Sequence, residues 1–301
     1  MTESLLPGLF AGIIPNTPYA VPPGPHRVLT SVSNFSYSST VGGSYTALTG
    51  PNTEPGVLLD GGFIKNTAAG TRFLVCKKIT RLDTYAAKVA QANPLAYWRL
   101  NEKSGSTLFD LIGTSNLAKG STVTLGVTGP LGDGNTGITL DGTANSVSSL
   151  VGPNTWLGAS AISFEYWVNN PAWAATHEVV LCLGSVGIYT SIQSGKPFAS
   201  IHTGTQYTTE AAAAISTGAW HHIAAAWESG DLMHLYVDGI EVTTNNATPR
   251  TGTLSSSPNY YLGAFNGSSL FYSGSIDDVA LYLRKLTASE IKQHYSARNV
   301  R

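Results

Sequence analysis

The chain of 301 residues contains 42% apolar and only 12% charged residues, and its formal net charge is −1. This length and apolar content suffice for a buried core, and the length favours two domains. Binding to nucleic acid requires a basic surface, and no cluster of Lys and Arg is longer than a pair such as Lys77-Lys78, so we expect no nucleic-acid partner.

The amino-terminal sequence carries no signal that would direct the chain to a membrane. No Lys or Arg precedes Arg27, so the basic front end of a secretory signal is missing. No run reaches about 18 apolar residues, the length that a membrane span needs. We therefore expect synthesis in the cytoplasm without a signal peptide, and no membrane insertion.

Residues 1–27 combine closely spaced prolines with apolar side chains. Proline at this density blocks helices and interior strands, and disordered linkers are usually less hydrophobic. We predict an extended arm that lies on another protein, with packing on its own domain as the alternative. The candidate attachment residues are Leu5, Leu6, Leu9, Phe10, Ile13 and Ile14.

Residues 28–81 contain short β-prone runs, such as Arg72-Phe-Leu-Val-Cys-Lys77, which are separated by turn signals. We predict a small β module that attaches the chain to a particle. Asp83 is a helix N-cap and Pro94 ends that helix, so residues 82–93 are predicted to link the module to a second domain, residues 94–301.

Strict alternation marks strands in the second domain. Met233, Leu235 and Val237 share one face of a predicted strand, and we expect its other face to be solvent-exposed. Val279, Leu281 and Leu283 show the same alternation in a second predicted strand. Between strands, Asp238-Gly239 is a type I′ hairpin signal. Near the end of the chain, Leu286-Thr-Ala-Ser-Glu-Ile291 predicts a helix with Thr287 as N-cap and Glu290 as its reciprocal partner.

An ordered series of short segments runs through residues 94–296. The segments are Pro94-Leu-Ala-Tyr-Trp-Arg-Leu-Asn-Glu-Lys-Ser-Gly105, Asp110, Leu140-Asp-Gly142, Ile162-Ser-Phe-Glu-Tyr-Trp167, Trp220-His-His-Ile-Ala, Leu235-Tyr-Val-Asp-Gly239, Tyr261-Leu-Gly263, Gly274-Ser-Ile-Asp-Asp-Val-Ala-Leu-Tyr282 and Leu286-Thr-Ala-Ser-Glu-Ile291. In this order they resemble a laminin-G-like, concanavalin A-like jelly roll. The resemblance implies an all-β fold, with the arm and small β module followed by a two-sheet sandwich and a short C-terminal helix.

A second, shorter resemblance concerns the small module. The segment Gly62-Phe-Ile-Lys-Asn-Thr-Ala-Ala-Gly-Thr-Arg-Phe-Leu-Val75 is similar to a hairpin of small β-barrel modules in phage virion proteins. This likeness favours a virion protein as the biological context.

Catalytic motifs are missing from the sequence. Glucanases with this sandwich carry Glu-x-Asp-x-x-Glu on one strand, and that spacing does not occur here. Glu165, Glu228 and Glu241 each stand alone and are expected to be solvated. His221 and His222 are neighbours on a strand and must point to opposite faces, so they cannot share a metal ion. Without Cys-x-x-Cys, His-Glu-x-x-His or Gly-x-Ser-x-Gly, we expect neither zinc nor serine-hydrolase chemistry and predict that the protein is not an enzyme.

The resemblance to laminin-G-like domains implies one possible ion, calcium. We expect that the protein requires no cofactor. Laminin-G-like domains often bind calcium at a loop edge, and Asp110 occupies the matching position of the family pattern, with Asp141 and Asp277 as weaker candidates. The loop Leu111-Ile-Gly113 departs from that pattern. The alternative is that these aspartates cap turns.

Aromatic residues in predicted loops and strand ends are candidates for stacking on sugar rings or anchoring a partner. They are Trp156, Trp173, Tyr189, Tyr207, Tyr260, Tyr261, Phe265 and Tyr272, of which we select Trp173, Tyr189, Tyr207, Phe265 and Tyr272 as ligand-binding candidates. Because isolated exposed aromatics also occur by default, the sequence permits glycan binding without establishing it.

Two functions remain. The first is a non-enzymatic virion structural protein, a phage capsid decoration or head appendage protein. Its N-terminal region would contact the major capsid protein or another virion protein and display a lectin-like jelly roll. The alternative is a tail or fibre receptor-binding protein, or a free carbohydrate-binding adhesin, with a cell-surface glycan as partner. Proteins of this class are usually symmetric, so we expect a homo-oligomer.

Overall fold

The structure is a computed structural model in which contacts divide the chain into two units, Met1–Leu82 with Leu111–Gly113 and Asp83–Asp110 with Thr114–Arg301. The described residues are 84–131, 134–151, 156–184, 188–243, 248–256 and 259–298, with the backbone of seven short strands before residue 79. The predicted attachment residues lie outside the described residues: Leu5, Leu6, Leu9, Phe10, Ile13 and Ile14.

The described strands of the first unit form two small antiparallel sheets. The strands are β1 (Pro18–Ala20), β2 (Pro25–Val28), β3 (Phe35–Ser38), β4 (Thr46–Ala47), β5 (Leu58–Asp60), β6 (Phe63–Asn66) and β7 (Cys76–Lys78). One sheet has the order β1-β6-β3-β4, and the other has the order β5-β2-β7.

Two of these strands involve residues 1–27, the segment predicted as an extended arm. β1 lies inside residues 1–27, and β2 begins there and is the central strand of its sheet. Pro18 and Pro25 each occupy the first position of a strand, where a missing N–H is tolerated. At these two positions proline begins a strand, whereas the rest of the predicted arm lies outside the described residues.

The second unit is a sandwich that begins with helix α1 (Thr84–Gln91) and ends with helix α2 (Ala288–Ala297). The strands between them are β8 (Ala96–Trp98), β9 (Thr107–Leu108), β10 (Leu117–Ala118), β11 (Thr124–Thr128), β12 (Thr136–Asp141), β13 (Ser148–Val151), β14 (Ala161–Asn169), β15 (Glu178–Leu183), β16 (Ile188–Gln193), β17 (Lys196–His202), β18 (Gln206–Glu210), β19 (His221–Glu228), β20 (His234–Val237), β21 (Ile240–Glu241), β22 (Asn259–Leu262) and β23 (Ser273–Tyr282). A 3-10 helix, Ala144–Ser146, precedes β13.

These strands form two eight-stranded antiparallel sheets. Sheet A has the order β18-β17-β16-β15-β22-β13-β10-β9. Sheet B has the order β11-β12-β23-β14-β19-β20-β21, with β8 also paired to β23. The predicted all-β, two-sheet sandwich with a short C-terminal helix is confirmed.

The core lies between the inner faces of the two sheets. Trp98 and Trp227 are fully buried there, as are Leu235, Val279 and Leu281, whose alternation predicted their strands. Leu283 was expected on the same face but follows the end of β23 and is 37% exposed. Burying side chains of this size contributes about 1.5–3 kcal/mol each.

The turn between β20 and β21 and the start of α2 were predicted correctly from short sequence motifs. Asp238 and Gly239 have φ of 52° and 76°, and β20 and β21 pair on either side of them, as a type I′ turn requires. At α2, the Thr287 side chain accepts a hydrogen bond from the Glu290 N–H, and the Glu290 side chain accepts one from the Thr287 N–H. This capping box was predicted, although α2 extends six residues beyond Ile291.

Both helices lie on the outer face of sheet B. Tyr85 of α1 and Tyr295 of α2 contact Trp167 of β14, with ring centroids 5.8 and 5.9 Å apart. Helix α1, predicted as part of a linker, thus belongs to the second unit. Tyr236 was expected on a solvent-exposed face but is only 3% exposed, and the ring of His234 stacks on it with centroids 6.5 Å apart. Within the described part of the chain, no helix is long and apolar enough to cross a membrane.

Candidate functional site

Glu165 on β14 is fully buried under helix α2, which contradicts the expectation that it is solvated. Its carboxylate accepts hydrogen bonds from His222 on β19 (3.1 Å), from His294 on α2 (3.0 Å) and from the Tyr282 hydroxyl on β23. We call these four residues the Glu165 cluster. In contrast, the side chains of Glu228 and Glu241 are 54% and 44% exposed, as predicted.

The attraction between the Glu165 carboxylate and the His294 imidazole stabilises the Glu165 cluster. Burial alone would raise the pKa of Glu165, but the charge of His294 and the hydrogen bonds from His222 and His294 hold it well below its ordinary value. Burial would likewise lower the pKa of His294, yet the Glu165 carboxylate raises it above 6.5. The cluster therefore works as a buried ion pair that fastens α2 to sheet B.

The adjacent histidines point to opposite sides of β19, as predicted. His222 belongs to the Glu165 cluster, whereas His221 contacts Asp238 and Ser216. The two rings cannot converge on one ion.

Two of the calcium candidates, Asp110 and Asp141, accept hydrogen bonds from backbone N–H groups. The Oδ1 of Asp110 accepts the Tyr97 N–H and its Oδ2 accepts the Ser115 N–H, both at 3.0 Å. Asp141 accepts the N–H and hydroxyl of Thr143, and these bonds lower its pKa to about 2. The carboxylates of Asp110 and Asp141 thus fit the capping alternative better than a calcium ion.

Asp277, the third calcium candidate, lies in β23 and is fully buried. Its Oδ1 accepts the Asp278 N–H at 2.9 Å. Among the described residues, no group of three or more His, Cys, Asp and Glu side chains could hold a metal ion. The structure therefore does not bring Asp110, Asp141 and Asp277 together, and calcium binding stays a prediction.

Three of the aromatic residues expected in loops or at strand ends are core residues. Tyr272, selected as a ligand-binding candidate, is fully buried against the core, and so are Trp156 and Tyr260. Tyr272 lies just before β23, where its side chain turns inward and its hydroxyl donates to the Ser275 carbonyl. Its selection as a ligand-binding residue was therefore wrong.

Two other candidates lie apart from each other. Trp173 packs over the turn at Gly195, where an added Cβ would be 2.9 Å from the indole, and its Nε1 donates to the Ser216 carbonyl. Tyr207 is half-buried beneath the guanidinium of Arg250, 4.1 Å from the ring centroid.

The last two candidates meet on the outer face of sheet A. The rings of Tyr189 and Phe265 are 5.2 Å apart, edge to face, and Phe198 stacks on Tyr189 at 5.6 Å. His177 adds an edge contact with Phe198 at 4.9 Å, and Tyr261 packs in the same cluster. We call these five residues the aromatic patch.

Polar groups border the aromatic patch. The Ser191 hydroxyl is 2.9 Å from His177 Nδ1, and the Asn259 amide donates to the Tyr261 hydroxyl. Gln206 donates to the Ser200 hydroxyl at 3.1 Å. Phe198, Tyr261 and Phe265 are partly exposed, whereas Tyr189 is 9% exposed and the Ser191 and Ser200 hydroxyls are buried beneath them. Partly exposed rings beside the amides of Asn259 and Gln206 match the chemistry of a sugar, which has both C–H faces and hydroxyls.

The sequence alone did not identify Phe198 and His177 as members of this patch. The available signal was the alternation of β17, in which Phe198, Ser200 and His202 share one face while Ala199 and Ile201 enter the core. Pairing with β16 then brings Phe198 to Tyr189, which no single-strand pattern reveals.

Comparisons with known proteins agree with the sandwich. The family model of the concanavalin A-like lectin/glucanases superfamily matches residues 133–292, more than half of the chain. No curated protein matches the chain.

Among solved structures, the binding domain of Paraclostridial Mosquitocidal Protein 1 is similar with a TM-score of 0.55 and 16% identity, covering 68% of this chain and 52% of that one. The Botulinum Neurotoxin Type G Receptor Binding Domain is similar with a TM-score of 0.52 and 15% identity, covering 68% and 51%. A structure described as "Cell entry of botulinum neurotoxin type C is dependent upon interaction with two ganglioside molecules" is similar with a TM-score of 0.55 and 10% identity, covering 71% and 53%. This chain thus spans about half the length of these structures, and at such identities the likeness shows the fold alone.

Proposed function

We propose that this chain, which belongs to the concanavalin A-like lectin/glucanases superfamily, binds carbohydrate through the aromatic patch on the outer face of sheet A. The observation that carries the proposal is the convergence of Tyr189, Phe198, Tyr261 and Phe265 on a face that neither helix covers. The partly exposed rings of Phe198, Tyr261 and Phe265 can stack on the apolar faces of sugars, and the amides of Asn259 and Gln206 can bind sugar hydroxyls.

The positions of the buried carboxylates in this sandwich favour carbohydrate binding over glycoside hydrolysis. Hydrolysis needs two carboxyl groups on either side of the sugar bond. Glu165 is enclosed beneath α2 by two histidines. Glu178 of sheet A accepts the N–H groups of Ala174 and Ser273, and so fastens two loops. Neither carboxylate is available to a sugar on the aromatic patch.

The similar solved structures also support the proposal that this chain binds a receptor. Their descriptions name binding domains, and one names two ganglioside molecules as the requirement for cell entry. By analogy, a cell-surface glycan is the proposed ligand here. The analogy concerns a shared fold, so the choice of glycan must come from the patch itself.

Replacing Tyr261 or Phe265 by alanine is expected to weaken glycan binding roughly tenfold or more each, because a stacking ring at the centre of a site contributes about 1–2 kcal/mol or more. The measurement is a glycan-array screen of the full chain, followed by calorimetric titration of the best ligand with and without a chelator. The chelator arm tests the predicted role of calcium.

The matched control for this experiment is Phe109→Ala, because Phe109 is 54% exposed and lies outside the aromatic patch. Its affinity should equal that of the unmodified chain. The proposal fails if a broad panel yields no ligand, or if the Tyr261 and Phe265 variants bind as tightly as the control.

We further propose that the jelly roll is carried on a phage particle, with residues 1–81 as the attachment region. Support comes from the apolar arm and from the similarity of the segment from Gly62 to Val75 to virion modules. Quantitative peptide mass spectrometry of purified particles tests this. A count near that of the shell subunit, or a simple fraction of it, is expected for a decoration protein and a few copies for a tail or fibre. Absence from particles would leave a free adhesin.

A further inference from the structure

Ser216, His221 and Asp238 form a continuous hydrogen-bonded chain beside the hairpin of β20 and β21. The Ser216 Oγ lies 2.8 Å from His221 Nε2, and His221 Nδ1 lies 2.8 Å from Asp238 Oδ2. Ser216 is exposed, whereas the side chains of His221 and Asp238 are 14% and 28% exposed. Nucleophile, base and orienting carboxylate are thus in the order and at the distances that covalent catalysis uses.

The carboxylate determines which nitrogen of His221 accepts a proton. Because Asp238 Oδ2 can only accept from Nδ1–H, neutral His221 has its lone pair on Nε2, facing the Ser216 hydroxyl. Asp238 is itself fixed, since its Oδ1 accepts the His222 N–H at 2.9 Å. We infer that Ser216 is a nucleophile toward uncharged carboxylic esters, an activity that goes beyond glycan binding and that no sequence motif indicates.

The loop that carries Ser216 is anchored on both sides. The Ile215 N–H donates to the Gly195 carbonyl at 2.9 Å, and the Gly218 N–H donates to the Asn170 carbonyl at 2.8 Å. The Trp173 indole donates to the carbonyl of Ser216 itself. These bonds hold the hydroxyl against His221 before any substrate arrives, which lowers the entropic cost of reaction.

An apolar cleft of about 400 Å³ is lined in part by Ile215 and Val237, the residues that precede Ser216 and Asp238 in the sequence. The lining residues are Ala211, Ala212, Ala213, Ala214, Ile215, Val237, Val242 and Thr243. A lining of alanine and aliphatic side chains suits the hydrocarbon part of a short acyl group, so the substrate class is an ester with a short, uncharged acyl chain.

The proposed reaction has two balanced steps. Ser216 Oγ attacks the ester carbonyl while its proton moves to His221 Nε2, and the C–O bond to the alcohol breaks as the alcohol takes that proton. Water then attacks the acyl-serine, His221 accepts the proton of the water and returns it to Ser216 Oγ, and the carboxylic acid leaves. Asp238 is a positioning residue that stabilises the imidazolium in both steps.

The test uses the full chain, p-nitrophenyl butyrate as substrate and a fluorophosphonate as covalent probe. We expect the probe to add to Ser216, located by peptide mass spectrometry, and both labelling and hydrolysis to be lost in Ser216→Ala. His221→Ala should slow both at least about 100-fold. Thr217→Ala is the matched control, because it removes the neighbouring exposed hydroxyl, and it should behave as the unmodified chain.

The substitution Asp238→Asn tests whether Asp238 positions His221 for catalysis without disturbing the fold of the hairpin. Asparagine tolerates the left-handed backbone of this turn and can still accept the His222 N–H, so the hairpin should form. Its amide would favour the opposite tautomer of His221, so kcat should fall about 100-fold or more with KM unchanged. Absence of labelling on the unmodified chain, labelling of Ser216→Ala, or unchanged kcat in Asp238→Asn would overturn the proposal and leave the three residues as a structural tie between the loop and the hairpin.

Discussion

Replacing Glu165 by alanine is expected to cost about 3–5 kcal/mol of the free energy of unfolding, the loss typical of a buried ion pair that loses one partner. The substitution removes the carboxylate that joins β14 to His294 of α2 and to His222 of β19. A charged imidazole would then remain buried without a counter-charge. Chemical denaturation followed by tryptophan fluorescence measures the loss, since all six tryptophans lie between Trp98 and Trp227.

Glu228→Ala is the control for this change. Glu228 lies on β19, the strand next to β14, but its side chain is 54% exposed and its contact with Lys285 is 3.8 Å long. An exposed pair of this kind contributes at most about 1 kcal/mol. Equal losses in the Glu165 and Glu228 variants would show that the buried cluster does not hold α2.

The same cluster makes stability depend on pH in a defined window. Because the pKa of Glu165 is lowered from 4.5, its contribution is fully present above that value and is lost as pH falls through its folded pKa. Because the pKa of His294 is raised from 6.5, its contribution is fully present below 6.5 and is lost as pH rises through its folded pKa. The difference in stability between the unmodified chain and Glu165→Ala should therefore be largest between about pH 4.5 and 6.5 and shrink at alkaline pH.

Gly263→Ala is expected to cost roughly 2–5 kcal/mol, the sum of a left-handed backbone penalty and overpacking. Gly263 has φ of +95°, and a Cβ at this position would overlap Cδ2 of Leu140, a core residue. The backbone cannot move aside easily, because the Gly263 N–H donates to the Val180 carbonyl and its carbonyl accepts the Tyr272 N–H. Thermal and chemical unfolding give the loss.

Gly204→Ala provides a control with the same backbone conformation. Gly204 has φ of +94°, but nothing lies within 4 Å of the position that a Cβ would take, so only the backbone penalty of about 1–2 kcal/mol applies. The difference between the two variants isolates the packing contribution. If Gly204→Ala is as destabilising as Gly263→Ala, the contact with Leu140 contributes nothing.

Much of the sandwich followed from patterns a few residues long. The alternation that buried Leu235 and Leu281, the turn at Asp238-Gly239 and the capping box of Thr287 all depend on neighbours within about five residues. The family resemblance then arranged these elements in two sheets. The candidate site was less predictable: Tyr189 and Phe265 were identified, whereas Phe198 and His177 join them through strand pairing and loop packing across the sheet.

Polar residues that stand alone in the sequence acquire partners in the fold. Glu165 stands alone among its neighbours, but its partners are 57 and 129 residues away. Ser216 and Asp238 similarly meet at His221 without any Gly-x-Ser-x-Gly motif, because a loop and a hairpin converge on the end of β19. Such contacts depend on which strands become neighbours, and local propensity carries little information about that.

By itself, the sequence determined the period of each strand, the turns and the helix caps, since those depend on backbone sterics and hydrogen bonds between near neighbours. Only the tertiary structure decided which outer face is covered. The α1 and α2 helices pack on sheet B and enclose Glu165, while on the outer face of sheet A the rings of Phe198, Tyr261 and Phe265 stay partly exposed. The physical reason is that an outward-facing side chain is exposed or buried according to the element that packs over it, and here that element comes from the two ends of the sandwich.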